Sequence, residues 1–255
     1  MLFDSEEFET DGGTGVKQRV QEELSDWLAE PPAGATVYLL GAGGCGVSTL
    51  GHLMLDLGLT VSGSDLKANA AVRQLQTRGA DIREGHSPEH LAASRPSLVI
   101  YTSAIRRDNP ALRRAEQLGV PLLRRAVVLA ALLRNHRGVC VAGMHGKTST
   151  TALLAYVLRE LDAETGYAVG GEVPQWERAA QLPTGNGFFT VEADESDGTL
   201  CEFHPEQAIV LNVDEEHVDY FSNLEEVCAE FAVFADQTLG AVFYCADDPR
   251  LVELF

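Results

Sequence analysis

Three short segments carry side chains at spacings suited to holding phosphate and a divalent cation. Ala142-Gly143-Met144-His145-Gly146-Lys147-Thr148-Ser149 joins an apolar stretch to a helical one. A glycine turn there exposes backbone N–H groups, and the helix start adds its positive end. Lys147 would reach β- and γ-phosphates, and the Thr148 hydroxyl would face Mg²⁺. The match to a standard phosphate loop is imperfect, because Val141 stands where the leading glycine belongs. His145 suits a hydrogen bond within the loop as well as a nucleotide contact. A glycine turn with an incidental lysine is the weaker alternative.

The second segment is acidic. Phe188-Phe189-Thr190-Val191 has a buried-strand pattern and runs into Glu192-Ala193-Asp194-Glu195-Ser196-Asp197. Carboxylates at the C-terminal end of a parallel strand face the crevice where ligands bind, and their hard oxygens suit Mg²⁺. A further strand, Ala208 to Asn212, leads into Val213-Asp214-Glu215-Glu216-His217-Val218-Asp219. Alone, the acidic run would be a solvated turn and His217 a core or helix-start histidine. Their arrival with the lysine loop on successive strand ends favours function.

The third segment, Gly41-Ala42-Gly43-Gly44-Cys45-Gly46, fits GxGxxG between an apolar strand and a helix, with Asp65 following 24 residues after Gly41. Such a turn brings a diphosphate onto a helix N-terminus, and Asp65 could accept from a ribose or base. The motif alone does not separate a dinucleotide from a UDP-sugar, or either from a plain turn.

Placing these groups requires strands that end together. The pattern predicts strands over Thr36 to Leu40, Leu59 to Ser62, Ser97 to Thr102 and Val120 to Leu123, with a helix over Cys45 to Leu57. A second series begins at Val139 to Ala142, continues with a helix over Thr150 to Leu161, and has strands at Phe188 to Glu192, Ala208 to Asn212 and Ala241 to Cys245. Such alternation predicts an α/β protein: a Rossmann-like domain over 36–136, then a parallel-sheet P-loop-type domain over 137–255. Residues 1–35 form an acidic extension with one helix, carried by Val16, Val20, Leu24, Trp27 and Leu28 and ended by Pro31-Pro32. The second domain looks cut short at Phe255.

The chain has 255 residues, 45% hydrophobic and 22% charged, enough apolar material for a core. Its net charge of −19 argues against nucleic acid and anionic membranes as partners. Arginines cluster locally, however, at Arg106, Arg107, Arg113, Arg114, Arg124, Arg125, Arg134 and Arg137. Most would be solvated, yet they leave room for an anionic small molecule. Five cysteines without metal-ligand spacing predict free thiols in a reducing compartment. The start lacks a signal-peptide pattern and the longest apolar run, Ala126 to Leu133, is too short for a bilayer, so a cytoplasmic protein is expected.

Taken together, GMHGKTSTT, EADESD and NVDEEHVDYF resemble the ATP loop, the magnesium-binding acidic segment, and the Asn and His-x-Asp segment of the Mur ligase family. GAGGCGVSTL, VSGSDL, YTSAIRRDNP and VPLLRRAVVLAALL resemble the UDP-binding domain of its alanine-adding branch, so the likeness runs from about residue 36 to the end. It implies a peptidoglycan-synthesis reaction in which Mg·ATP phosphorylates the carboxylate of UDP-N-acetylmuramate and the amine of L-alanine attacks the acyl phosphate. Carried over, Gly143, His145, Gly146, Lys147, Thr148 and Ser149 would hold ATP, with Lys147, Glu192 and His217 catalytic. Thr148 and Glu192 would bind one Mg²⁺, and Glu192 with His217 a second. Gly41, Gly43, Gly44, Cys45, Gly46, Asp65 and Ser103 would surround the UDP moiety.

Several features depart from the family. Met144 stands where threonine is usual, and the extension before Thr36 has no counterpart. No lysine follows Lys147, whereas related ligases carry a carbamylated lysine there; this fits the alanine-adding branch. A third, amino-acid-binding domain is expected and missing, leaving either a fragment or a protein that binds without ligating. The alternatives are a ligase that adds a recycled peptide to the same sugar nucleotide, though its acidic segment usually has tyrosine where Ser196 stands; a nicotinamide-dependent oxidoreductase, which leaves Lys147 unexplained; and a non-catalytic nucleotide-binding module. A homodimer is compatible with the sequence.

Overall fold

A computed structural model describes residues 14–161, 164–195, 198–214, 221 and 223–255. The chain divides into two compact units between Ala131 and Leu132.

The first unit contains α1 (Thr14–Ala29), β1 (Thr36–Leu40), α2 (Cys45–Asp56), β2 (Thr60–Asp65), α3 (Ala70–Thr77), β3 (Asp81–Glu84), α4 (Pro88–Ser94), β4 (Leu98–Tyr101), α5 (Pro110–Gln117) and β5 (Leu122–Arg124). Helix α6 (Arg125–Arg134) spans the division point. The accessory helix foreseen from the apolar spacing is α1, and it buries Val20, Leu24 and Leu28.

Local chemistry sets the helix starts. Asn69, Ser87 and Asn109 each accept backbone N–H groups at the heads of α3, α4 and α5, while Pro88 and Pro110 occupy first-turn positions where no N–H is needed. The five strands are all parallel in the order β3-β2-β1-β4-β5, with Val37 of β1 between Val61 and Leu98. Strand order reverses at β1, so a crevice opens between the C-terminal ends of β1 and β4, where the first glycine loop begins.

Two strands differ from expectation. β2 extends past Ser62 to Asp65 because Gly63 and Ser64 pack inside the sheet: a Cβ on Gly63 would lie 2.5 Å from the Leu39 carbonyl oxygen. β3 was not foreseen. It is an edge strand with three of its four residues exposed, so it lacks the apolar signature of a buried strand.

The second unit holds β6 (Arg137–Ala142), α7 (Lys147–Leu161), β7 (Gly166–Ala168), β8 (Ala180–Gln181), β9 (Phe188–Glu192), β10 (Gln207–Val210), α8 (Leu224–Asp236), β11 (Val242–Tyr244) and α9 (Pro249–Leu254). Its sheet runs β11-β10-β6-β9-β7-β8. β8 pairs antiparallel with β7 at the edge of the otherwise parallel sheet; the Gly-Tyr-Ala and Ala-Gln strands carry no β-branched residue to mark them in the sequence. The helix expected from Thr150 already starts at Lys147, directly after Gly146. β6 lies between β9 and β10, so the lysine loop and both polar strand ends emerge side by side. Among the described residues, no helix is long and apolar enough to cross a membrane.

Candidate functional site

In the second unit, the loop after β6 is clamped from β10. The Asn212 side chain accepts from the His145 N–H at 2.8 Å and donates to the His145 carbonyl at 3.0 Å, and the Asn212 carbonyl accepts from Met144 N–H at 3.3 Å. Gly143 passes so close that a Cβ would lie 3.0 Å from Asn212 N, and its φ of +129° is one that L side chains rarely adopt. Glycine is therefore required there by both space and conformation. Met144, the residue that departs from the family pattern, is buried. His145 is exposed, and its backbone makes the clamp.

Lys147 is fixed on three sides. Its Nζ donates to Gly143 O at 2.7 Å, to Met144 O at 3.4 Å, and to both Glu195 oxygens at 2.7 and 3.0 Å. The Glu195 side chain has no exposed surface and that of Lys147 only 12%. Removing one partner of such a buried pair costs about 3–5 kcal/mol, because the other charge is stranded. Burial pushes the Glu195 carboxyl above the usual range, with Lys147 pulling the other way.

Thr148 Oγ1 donates to Glu192 Oε1 at 3.1 Å, and Glu192 Oε2 accepts from Gly170 N–H at 2.8 Å. Two hard oxygen donors thus meet at the start of α7, where Ser149 is also exposed. His217 lies outside the described residues. Among the described residues, no group of three His, Cys, Asp or Glu side chains could hold a metal ion. The Thr148–Glu192 pair is a two-ligand set, which fits Mg²⁺ because that ion keeps several waters and takes further oxygens from phosphate.

In the first unit, Gly41, Gly43, Gly44, Cys45 and Gly46 form the turn from β1 into α2. Gly44 caps α2 without a side-chain bond, so the cap residue satisfies none of the first turn's N–H groups through a side chain. Asp65 is placed at the loop as predicted, but its carboxylate braces the protein: Oδ2 accepts from Gly43 N–H at 2.8 Å and Oδ1 from Lys67 N–H at 3.2 Å. Asn69 donates to the Gly43 carbonyl at 2.8 Å. Ser103 is exposed in the loop after β4, and neighbouring Thr102 would lie 3.4 Å from a Cβ on Gly41.

Four further residues contribute that no motif singled out individually; one of them, Glu195, meets Lys147 and was expected only within a run of Mg²⁺-suited carboxylates. Arg125 sets its guanidinium over the start of α2, where a Cβ on Gly46 would meet Nη1 at 3.0 Å. In the sequence it stood among eight clustered arginines and within VPLLRRAVVLAALL, with no role of its own. His86 follows β3, and its Nδ1 lies 3.0 Å from the buried Ser64 hydroxyl. Burial holds His86 below the usual histidine range, against the charge of Asp65. The unforeseen strand β3 hid it. Glu195 and Asn212 stood within quoted motifs, but their partners depend on the order of β9, β6 and β10.

Models of two domains match the chain: the Mur ligase family catalytic domain over residues 36–137, and the Mur ligase middle domain over residues 141–254. The UDP-N-acetylmuramate--L-alanine ligase of Thermosynechococcus vestitus is 41% identical over 217 residues, covering 84% of this chain and 45% of that protein. The enzyme of the same name from Streptomyces coelicolor is 40% identical over 226 residues, covering 88% and 48%. The chain thus spans about half the length of these curated relatives. Among solved structures, the UDP-N-acetylmuramate-alanine ligase of Thermotoga maritima superposes with a TM-score of 0.79 at 29% identity, over 86% of this chain and 51% of that one. The UDP-N-acetylmuramate:L-alanyl-gamma-D-glutamyl-meso-diaminopimelate ligase of Neisseria meningitides gives 0.80 at 25% identity, over 87% and 74%.

Proposed function

The chain belongs to the Mur ligase family, and we propose that it carries the sugar-nucleotide and ATP sites of a cytoplasmic enzyme joining L-alanine to UDP-N-acetylmuramate in peptidoglycan synthesis. The observation that carries this reading is the second unit's assembly of Lys147, the Thr148–Glu192 pair and the Asn212 clamp at one end of a parallel sheet.

In this reading the first unit receives the UDP moiety. The free N–H groups at the start of α2 and the Arg125 guanidinium both favour a diphosphate. In the second unit, the backbone of Gly143 to Gly146 cradles the triphosphate and Lys147 rests against its β- and γ-phosphates. Thr148 and Glu192 would hold Mg²⁺, which when bound offsets phosphate charge. His217 would join Glu192 at a second ion. The substrate carboxylate attacks the γ-phosphate, ADP departs, and the amine of L-alanine displaces phosphate from the acyl phosphate. No protein nucleophile is needed. The protein contributes position and fixed charge, worth most where phosphoryl charge shifts in the transition state.

Addition of a recycled peptide is the second reading, favoured by the equally good superposition on the Neisseria ligase. The alanine reading rests on the curated relatives at 40–41% identity and on Ser196.

Calorimetric titration with UDP-N-acetylmuramate, using NAD as control, tests the proposal. Saturable binding of the sugar nucleotide alone is expected. Binding of NAD alone, or of neither ligand, would overturn it.

A further inference from the structure

We propose that Glu195 is a positioning residue that sets how tightly the lysine loop holds a triphosphate: a resident anion that fixes Lys147 and offsets part of its charge. The inference rests on reading this loop as the ATP site.

An ammonium has three N–H groups. Two are well used, by Gly143 O at 2.7 Å and by the Glu195 carboxylate at 2.7 and 3.0 Å. The remaining partner, Met144 O at 3.4 Å, is at the long limit for a hydrogen bond. A phosphate oxygen can replace that weak contact without disturbing the other two.

Full transfer of Lys147 to phosphate is the costlier course. Glu195 has no exposed surface, so water cannot take the place of the departing cation. The ion pair therefore persists when nucleotide binds, and the triphosphate meets a lysine already held in place but partly neutralised. Glu195 has two opposed effects: orientation strengthens phosphate binding, and its negative charge weakens it.

Two substitutions separate these effects. Glu195→Gln keeps the shape and one acceptor for Lys147 while removing the charge. Its affinity for Mg·ATP is expected to rise about tenfold, equivalent to about 1.4 kcal/mol. Its ligand-free melting temperature should fall, and the rise in melting temperature on adding ATP should exceed that of the parent protein. Glu195→Asp keeps the charge but draws the carboxylate back by one methylene, so it should bind ATP more weakly than the parent. Adenosine, lacking phosphate, should bind all three alike.

Opposite shifts for the two variants are the signature, because a merely structural role would weaken ATP binding in both. Equal or weaker ATP binding by a folded Glu195→Gln variant overturns the proposal.

If that variant does not fold, the parent protein still gives an answer. Its only lysines are Lys17, Lys67 and Lys147, so ¹⁵N NMR of the lysine ammonium groups is readily resolved. The Lys147 ammonium should exchange slowly with water, both empty and with Mg·ATP bound. An ammonium exchanging as fast as that of exposed Lys67, in either state, overturns the proposal. A parent protein that binds no ATP would sink the ATP reading and this inference together, and calorimetry on that protein detects this before any variant is made.

Discussion

The two glycine loops solve one problem with opposite charge arrangements. Each leads from a buried strand into a helix and is braced by a polar side chain from a neighbouring strand end. In the first, the brace is the Asp65 carboxylate on Gly43 N–H, and the nearby cation is Arg125, brought from α6. In the second, the brace is the neutral Asn212 amide, and the cation is the loop's own Lys147, held by buried Glu195. In the proposed reading, the first loop would receive phosphate mainly through backbone N–H groups and a helix end, the second through a fixed ammonium beside them. On that reading the second suits a triphosphate whose charge distribution would change during reaction, and the first a diphosphate that would only be held.

The comparison makes its largest prediction at Lys147. Lys147→Met should weaken Mg·ATP binding about a hundredfold, since hydrogen bonds to charged groups each contribute about 1.5–3 kcal/mol. It should also lower the melting temperature by stranding Glu195, while calorimetry with UDP-N-acetylmuramate stays unchanged. Equal loss of both ligands would mean that the loops are not functionally separate.

A smaller effect is expected at the clamp. Asn212→Ala removes two hydrogen bonds to His145, and ATP affinity should fall about tenfold, at about 1 kcal/mol or somewhat less per bond. Fluorescent-nucleotide titration would measure it, and unchanged affinity would show that the loop holds its shape without the clamp.

In the first loop, Gly43→Ala should act in the reverse sense. Its Cβ would lie 2.9 Å from Asn69 Nδ2 and 3.0 Å from Asp65 Oδ2, forcing the brace to shift. Sugar-nucleotide affinity should drop about fivefold, within the range of one disturbed hydrogen bond, with ATP binding unaltered.

The smallest effect concerns acid. Burial lowers the pKa of His136, whose ring stands edge-on to Phe189 at 5.6 Å, below 6.5. A histidine held neutral in the fold contributes stability above its unfolded pKa and loses it as pH falls through the folded value. The melting temperature should therefore decrease below pH 6.5, and His136→Gln should flatten the slope. His204 adds to it in the same direction.

Much of the placement was legible in the sequence, because the candidate groups lie in contiguous motifs at strand ends. Glycine turns, Lys147 with Thr148, and Glu192 each announce themselves by type and by the apolar strand before them. What stayed hidden depends on pairing between distant segments. That Asn212 clamps His145, or that Lys147 meets a carboxylate from the segment after β9, depends on β6 lying between β9 and β10, an order that no local pattern encodes. Asp65 was singled out by its spacing from Gly41, yet spacing gave no sign of its bonds to the Gly43 and Lys67 N–H groups. β3, β7 and β8 escaped notice because an exposed edge strand, and the short Gly-Tyr-Ala and Ala-Gln strands with no β-branched residue, lack the apolar signature of a strand.

The central claim is that one chain holds two separate phosphate sites, each with its own nucleotide. Calorimetric titration with Mg·ATP, performed on protein already saturated with UDP-N-acetylmuramate, tests it directly. Binding of one further equivalent, with the sugar nucleotide still bound, is the predicted result; displacement of the sugar nucleotide by ATP, or no further binding at all, would contradict it.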